Sequence, residues 1–219
     1  MNRTTTKLSR TDYYLLERPD VAKLVPYECK NILEIGCGFG TLGRALVERQ
    51  DCCIDGVEIN PAAEPYLKGI YRKYWISDIE RLQIDQEQKY DCILLPDVLE
   101  HLVNPWLTLK SLKSLLTVDG VVIASIPNVR NLGVIHRLLF KGRWEYEESG
   151  LLDRGHLRFF TRAEIIQLFK ESGFEIETWE INREHYTGFN SFVAGLVRFF
   201  IQDIDVCQYR IRAKKSAHV

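Results

Sequence analysis

The chain has 219 residues, 46% apolar and 27% charged, a globular composition far from the low-hydrophobicity, high-charge signature of disorder. With 29 Lys and Arg against 30 Asp and Glu, the net charge of -1 sets up no field that would gather a phosphate backbone, so nucleic acid is not expected as a partner. The six cysteines (Cys29, Cys37, Cys52, Cys53, Cys92 and Cys207) show no CxxC spacing and no paired histidine ligands, so neither a disulfide framework nor a metal site is expected, and they read as buried thiols in a reducing cytoplasm.

The first thirty residues lack the apolar run of an export signal and are expected to form an N-terminal cap. Residues 31–35, 52–59, 73–79, 90–98 and 120–127 read as strands. Helix-period segments fall between them at 41–50 and 105–116, the second with Leu109, Leu112 and Leu116 on one stripe. This alternation implies βαβ units, and the nearly continuous apolar runs ILEI, DCILL and GVVIAS suit parallel strands covered on both faces. Thr161 and Glu164 make a capping box ahead of Ile165, Ile166, Leu168 and Phe169, and Gly173 supplies the stop, which predicts a helix over 162–172. Residues 174–181 and 206–213 read as a closing antiparallel pair. The fold class is therefore α/β, a Rossmann-like doubly wound sheet, mostly parallel with an antiparallel final strand. Between the last two strands, Phe189, Phe192, Val193, Leu196, Phe199 and Phe200 recur at helical spacing. Core packing is expected of them, with weak contact to a membrane surface as the alternative. Residues 188–202 are too few, and too interrupted by Asn190 and Arg198, to span a bilayer.

Chemistry concentrates where strands end. Gly36, Gly38 and Gly40 follow the first strand and precede a helix, where backbone must approach a ligand without Cβ interference, and Cys37 lies among them. Gly38, Gly40 and Gly43 also satisfy the dinucleotide fingerprint, so a nicotinamide-dependent oxidoreductase is the rival. The register argues against it: the strand runs into Gly36, and Glu34 holds a position usually apolar in dehydrogenases. Glu58 ends the second strand and can accept from a ribose diol, with Ile59 beside it. Asp78 ends the third and is placed to accept from an adenine amino group, with Ile79 against the ring. Pro96 and Asp97 close the fourth at the edge where open α/β sheets bind ligands.

Through ILEIGCGFG, GVEIN, SDIE and DVLEHL, spaced over residues 31–102, the sequence resembles the class I S-adenosyl-L-methionine-dependent methyltransferases. The resemblance implies S-adenosyl-L-methionine as cofactor, with Gly36, Gly38 and Gly40 bracketing its methionine portion, Glu58 on the ribose and Asp78 with Ile79 at adenine. The stretch from IPNVRNLG to RFFTRAEI looks like the subgroup associated with glycosyltransferase-linked biosynthesis of cell-surface polysaccharide. YYLLERPDVAKLVP resembles that subgroup's opening segment, which implies Tyr14 and Arg18 folding over the cofactor. One methyltransferase domain is expected over 1–219: a cap over 1–30, a cofactor core over 31–128, a substrate-side lid over 129–160, and a C-terminal helix with closing strands over 161–219.

Methyl transfer from a sulfonium is an in-line displacement, so much of the catalysis is positioning. If the acceptor is a hydroxyl, a general base adds ~10² to 10⁴-fold, and His101 and His156 compete for that role. Asp153 is a candidate to orient His156 or hold an acceptor hydroxyl, Arg154 and Arg158 to clamp a diphosphate, and Trp144 and Tyr146 to stack on a sugar face. The acceptor class is a small molecule, sugar or nucleotide sugar, methylated at a hydroxyl or amine. A non-catalytic methyltransferase-like partner module is the other alternative.

Overall fold

The computed structural model describes residues 17–184, 195, 198, 199 and 201–217. Seven strands form one sheet: β1 (Asn31–Ile35), β2 (Cys53–Glu58), β3 (Lys73–Ile76), β4 (Tyr90–Pro96), β5 (Leu116–Pro127), β6 (Phe174–Arg183) and β7 (Val206–Lys215). Their order is β3-β2-β1-β4-β5-β7-β6. The first five pair in parallel, and β7 runs antiparallel to both of its neighbours, as expected of the final strand. The chain winds outward one way from β1 to β3 and the other way from β4. The reversal falls between β1 and β4, and the carboxyl ends of strands at such a switch point are where sheets of this kind take ligands in a crevice.

The helices are α1 (Pro19–Ala22), α2 (Thr41–Arg49), α3 (Glu64–Leu67), α4 (Pro105–Leu115), α5 (Leu132–Lys141) and α6 (Arg162–Glu171). They cover the sheet on both faces, and the strand sequences show it. In β1 and β4, Leu33, Ile35, Ile93 and Leu95 join a core with Leu109, Leu112, Ile165 and Phe169. Their neighbours Ile32, Cys92 and Leu94 join a second core with Leu42, Leu46, Ile54 and Leu67. Successive side chains point to opposite faces, so burial of both faces makes the apolar run continuous. Residues Val21, Leu24 and Val25 of the N-terminal segment enter the second core, and Arg49 ties that segment down by donating to the Ala22 and Val25 carbonyls.

The capping box of Thr161 and Glu164 forms, and α6 starts where it predicts. Leu116 departs from its expected place on a helical stripe. The helix stops at Leu115, and Leu116 opens β5 in register with Tyr90, because its ψ of 147° is already extended. β3 ends at Ile76 rather than at 79, since the Asp78 carboxylate accepts from the Glu80 N–H and turns the chain out of the sheet. Ile59 likewise leaves β2 and is 68% exposed. The segment 129–160, read as lid alone, contains α5, started by the Asn131 side chain accepting from the Gly133 N–H. Tyr14, Phe189, Phe192, Val193, Leu196 and Phe200 lie outside the described residues; Phe199 is exposed. Among the described residues no helix is long and apolar enough to cross a membrane.

Candidate active site

The glycine turn after β1 is built by backbone geometry. Gly36, Gly38 and Gly40 have φ of 72°, 51° and 79°. A Cβ at Gly36 would in addition come within 2.8 Å of Val98 Cγ2, so strand β1 and the loop after β4 can close on one another only with glycine there. The Gly38 N–H donates to Glu58 Oε2 at 2.8 Å, and the Asn60 N–H donates to Glu58 Oε1 at 2.8 Å. Glu58 thus clips the glycine turn to the end of β2, and each oxygen keeps a lone pair for a further donor. Asp78 accepts from the Glu80 N–H, lies 3.5 Å from Arg81 and is partly exposed. Ile79 packs against the main core and lines, with Leu82, Thr108 and Leu112, a cavity of about 340 Å³.

Glu34 is buried on the α2 side of β1, where the Tyr71 hydroxyl donates to its Oε2 at 2.7 Å. Burial pushes its carboxyl up to about 8, with the Glu58 charge adding to the rise and Tyr71 and Arg18 opposing it. The Cys37 thiol is pushed up by burial and by Glu34 and Glu58, which makes it an unreactive packing group.

Asp97, just past β4, takes a left-handed φ of 55° and is held on every side. Its Oδ1 accepts from Ser125 Oγ at 2.7 Å and Gln208 Nε2 at 2.5 Å, and its Oδ2 from Arg18 at 2.6 Å. Arg18 also donates to Asp20 and to Ser125 Oγ. The residue that the resemblance placed over the cofactor is therefore fastened to the crevice through Asp97. Pro96 is the last residue of β4 and pairs with Ser125.

Beyond Asp97, a 3-10 turn over Leu99–His101 brings Glu100, His101 and His156 together. The rings of His101 and His156 are 4.7 Å apart between centroids, edge to face. His101 Nδ1 lies 3.0 Å from the Gly155 carbonyl and His156 Nδ1 lies 3.2 Å from the Leu151 carbonyl. A carbonyl can only accept, so each Nδ1 carries a proton, and in the neutral ring Nε2 is the nitrogen with the lone pair. His156 is 7% exposed, and burial, then the neighbouring His101, pulls it below its ordinary range. Glu100 is 1% exposed; burial, then the Asp97 charge, raises it well above the carboxylate range.

Asp153 does not orient His156. Its Oδ1 accepts from the Gly155 N–H at 2.6 Å, shaping the turn from which the histidine projects, while Leu151 supplies the orienting carbonyl. Arg154 pairs with Glu148, and Arg158 donates to the Val103 carbonyl, so both have internal partners. Trp144, Tyr146 and His156 all gather round the Phe159 ring, at 5.0, 6.5 and 6.3 Å between centroids. Glu100, Tyr71, Ser125 and Gln208 were missed from sequence. For Glu100 the signal was available: an acid in an otherwise apolar turn, directly before a histidine.

The methyltransferase domain family matches residues 9–178. The ubiquinone biosynthesis O-methyltransferase of Xylella fastidiosa is 28% identical over 182 residues, covering 76% of this chain and 72% of that one. A SAM-dependent methyltransferase from Archaeoglobus fulgidus has a TM-score of 0.63 at 19% identity, covering 94% of this chain and 95% of that one. The 1,6-didemethyltoxoflavin-N1-methyltransferase of Burkholderia thailandensis, solved with 1,6-didemethyltoxoflavin and S-adenosylhomocysteine, has a TM-score of 0.62 at 16% identity, covering 94% and 81%. The antiparallel β7 between β5 and β6 also departs from the 3-2-1-4-5-6 order of nicotinamide-binding sheets, which sets the oxidoreductase reading aside. The chain belongs to the methyltransferase domain family and carries the fold of the class I S-adenosyl-L-methionine-dependent methyltransferases.

Proposed function

We propose that the protein transfers a methyl group from S-adenosyl-L-methionine to a hydroxyl of a small cyclic acceptor. The observation that carries this reading is the meeting of two constellations at the carboxyl ends of β1, β2 and β4: the glycine turn clipped by Glu58, and the Glu100–His101–His156 cluster just past Asp97. The residues fit the cofactor. The turn is held open without Cβ atoms, Glu58 keeps lone pairs for a ribose diol, and Asp78 stands partly exposed at the next strand end. The bound cofactor supplies an electrophilic methyl carbon on a sulfonium.

The chain's own groups do the rest. Arg18, fixed by Asp97 and Asp20, closes the crevice from the N-terminal side and excludes water. In its neutral form an imidazole such as that of His101 or His156 can take the acceptor hydroxyl's proton or coordinate. Trp144, Tyr146 and Phe159 give a flat acceptor something to lie against. An aromatic ring and a sugar ring both meet that description; the Xylella relative is named for O-methylation in ubiquinone biosynthesis, and the stretch from IPNVRNLG to RFFTRAEI resembles the subgroup associated with biosynthesis of cell-surface polysaccharide. All six cysteines are free thiols, which suits work in the cytoplasm, though only Cys29, Cys37 and Cys92 are buried as expected, while Cys52 and Cys207 are half-buried and Cys53, opening β2, is exposed.

The test is a methyl-transfer screen of catechols, phenols, sugars and nucleotide sugars with labelled cofactor. One acceptor class should be methylated by the wild type, with kcat lowered ~10² to 10⁴-fold in His156→Ala while cofactor affinity is retained. Transfer to amines alone, or an unchanged kcat in both His101→Ala and His156→Ala, contradicts the reading.

A further inference from the structure

We propose that Glu100, His101 and His156 form a site for a divalent first-row transition cation, of the class of Zn2+, Mn2+ or Co2+, which gathers the acceptor's oxygen atoms. This rests on the reading of the same cluster as the acceptor end of the active site. One ligand-capable atom from each side chain lies within 4.8 Å of the others. An ion with bonds of about 2.0 to 2.2 Å closes that span with small side-chain rotations.

Three observations favour an ion over simple packing. The buried Glu100 Oε2 has no hydrogen-bond partner among the described residues, a costly state for a polar atom. Glu100 Oε1 lies 4.0 Å from His156 Nε2, beyond hydrogen-bond length, so the two side chains do not satisfy each other. Both imidazoles hand their Nδ1 protons to backbone carbonyls of one segment, Leu151 and Gly155, the arrangement that holds metal-ligating histidines in the correct tautomer. Ligand-capable atoms therefore gather round a buried carboxyl whose charged form has no counterpart, and a bound cation would supply that counterpart in place of a proton.

Two imidazoles with one carboxylate suit borderline ions better than Mg2+ or Ca2+, which prefer oxygen ligands. Three protein ligands also leave positions open for acceptor oxygens, as in catalytic rather than structural sites. A hydroxyl bound there gives up its proton to solvent more readily. The oxygen–carbon bond then forms as the sulfur–carbon bond breaks, and the charges of the alkoxide and the sulfonium are both discharged. Adjacent oxygens on the acceptor, as in a vicinal diol or catechol, would chelate the ion. Cysteine and histidine spacing hides such a site, because Glu100 and His101 are neighbours and the third ligand arrives from beyond α5.

The test uses the full chain, stripped with EDTA and dialysed, then titrated with Co2+ while heat and visible absorption are recorded. The expected result is about one Co2+ per chain with a ligand-field band, displaced by Zn2+, and binding weakened at least ~10-fold in Glu100→Gln and His156→Gln. Circular dichroism checks that each variant folds, and His101→Ala, at an exposed position, repeats the readout. Absence of stoichiometric Co2+ and Zn2+ binding, or equal binding in the folded variants, overturns the proposal. Adenosylhomocysteine is titrated into the same stripped sample. Its binding without metal uptake sinks this proposal alone; metal uptake without it upholds the site and sinks the methyltransferase reading.

Discussion

Replacing Glu34 by Gln should change how stability depends on pH. In the folded protein the buried Glu34 carboxyl is raised from 4.5 to about 8. The folded state therefore keeps a proton that the unfolded chain has released, and stability falls as pH rises from about 4.5 to about 8. The steepest loss is ~1.4 kcal/mol per pH unit, and the whole penalty is at most about 5 kcal/mol. Gln cannot ionise, yet its amide oxygen still accepts from the Tyr71 hydroxyl, so the substitution removes the titration and keeps the hydrogen bond. Urea denaturation of both proteins across this range reads the difference, and groups common to both cancel. Relative to wild type, Glu34→Gln should gain roughly 3 kcal/mol between about pH 5 and about pH 7.5. Stability curves that run parallel over that interval would refute the claim that burial keeps Glu34 protonated.

Gly43→Ala should destabilise the fold by about 1 to 3 kcal/mol, because a Cβ there would lie 2.4 Å from the Tyr71 hydroxyl and push it off Glu34; thermal denaturation with no fall in Tm would contradict this. Asn131→Ala removes the cap of α5 and a donor to the Val206 carbonyl, and should cost about 1 to 2 kcal/mol, read by hydrogen exchange in α5. Full protection of that helix in the variant would count against the assignment.

What sequence could show depended on whether burial left a periodic mark. β1 and β4 were legible because both faces are covered, and the box of Thr161 and Glu164 because a cap is a local hydrogen-bond pattern. Leu116 was assigned to a helix because a stripe continues into it; the pairing with Tyr90 that claims it for β5 is a long-range contact. α5 escaped because it buries little: Val134 faces inward while Leu138, Leu139 and Phe140 are exposed. At the candidate site, Glu58 and Asp78 stand out as candidates in the sequence because strands deliver acids at their ends. Of the two roles open to Asp153, orienting His156 falls instead to the Leu151 carbonyl, which is backbone and leaves no trace in residue type.

Calorimetric titration of S-adenosylhomocysteine into wild type and Glu58→Ala tests the assignment of the cofactor crevice most directly. Glu58 joins the glycine turn to the end of β2 and, on the proposed reading, would accept from the ribose, so the wild type should bind one equivalent and the variant at least ~10-fold more weakly, as for a lost charge-assisted hydrogen bond. No binding by the wild type, or equal affinity in a folded Glu58→Ala, would contradict it.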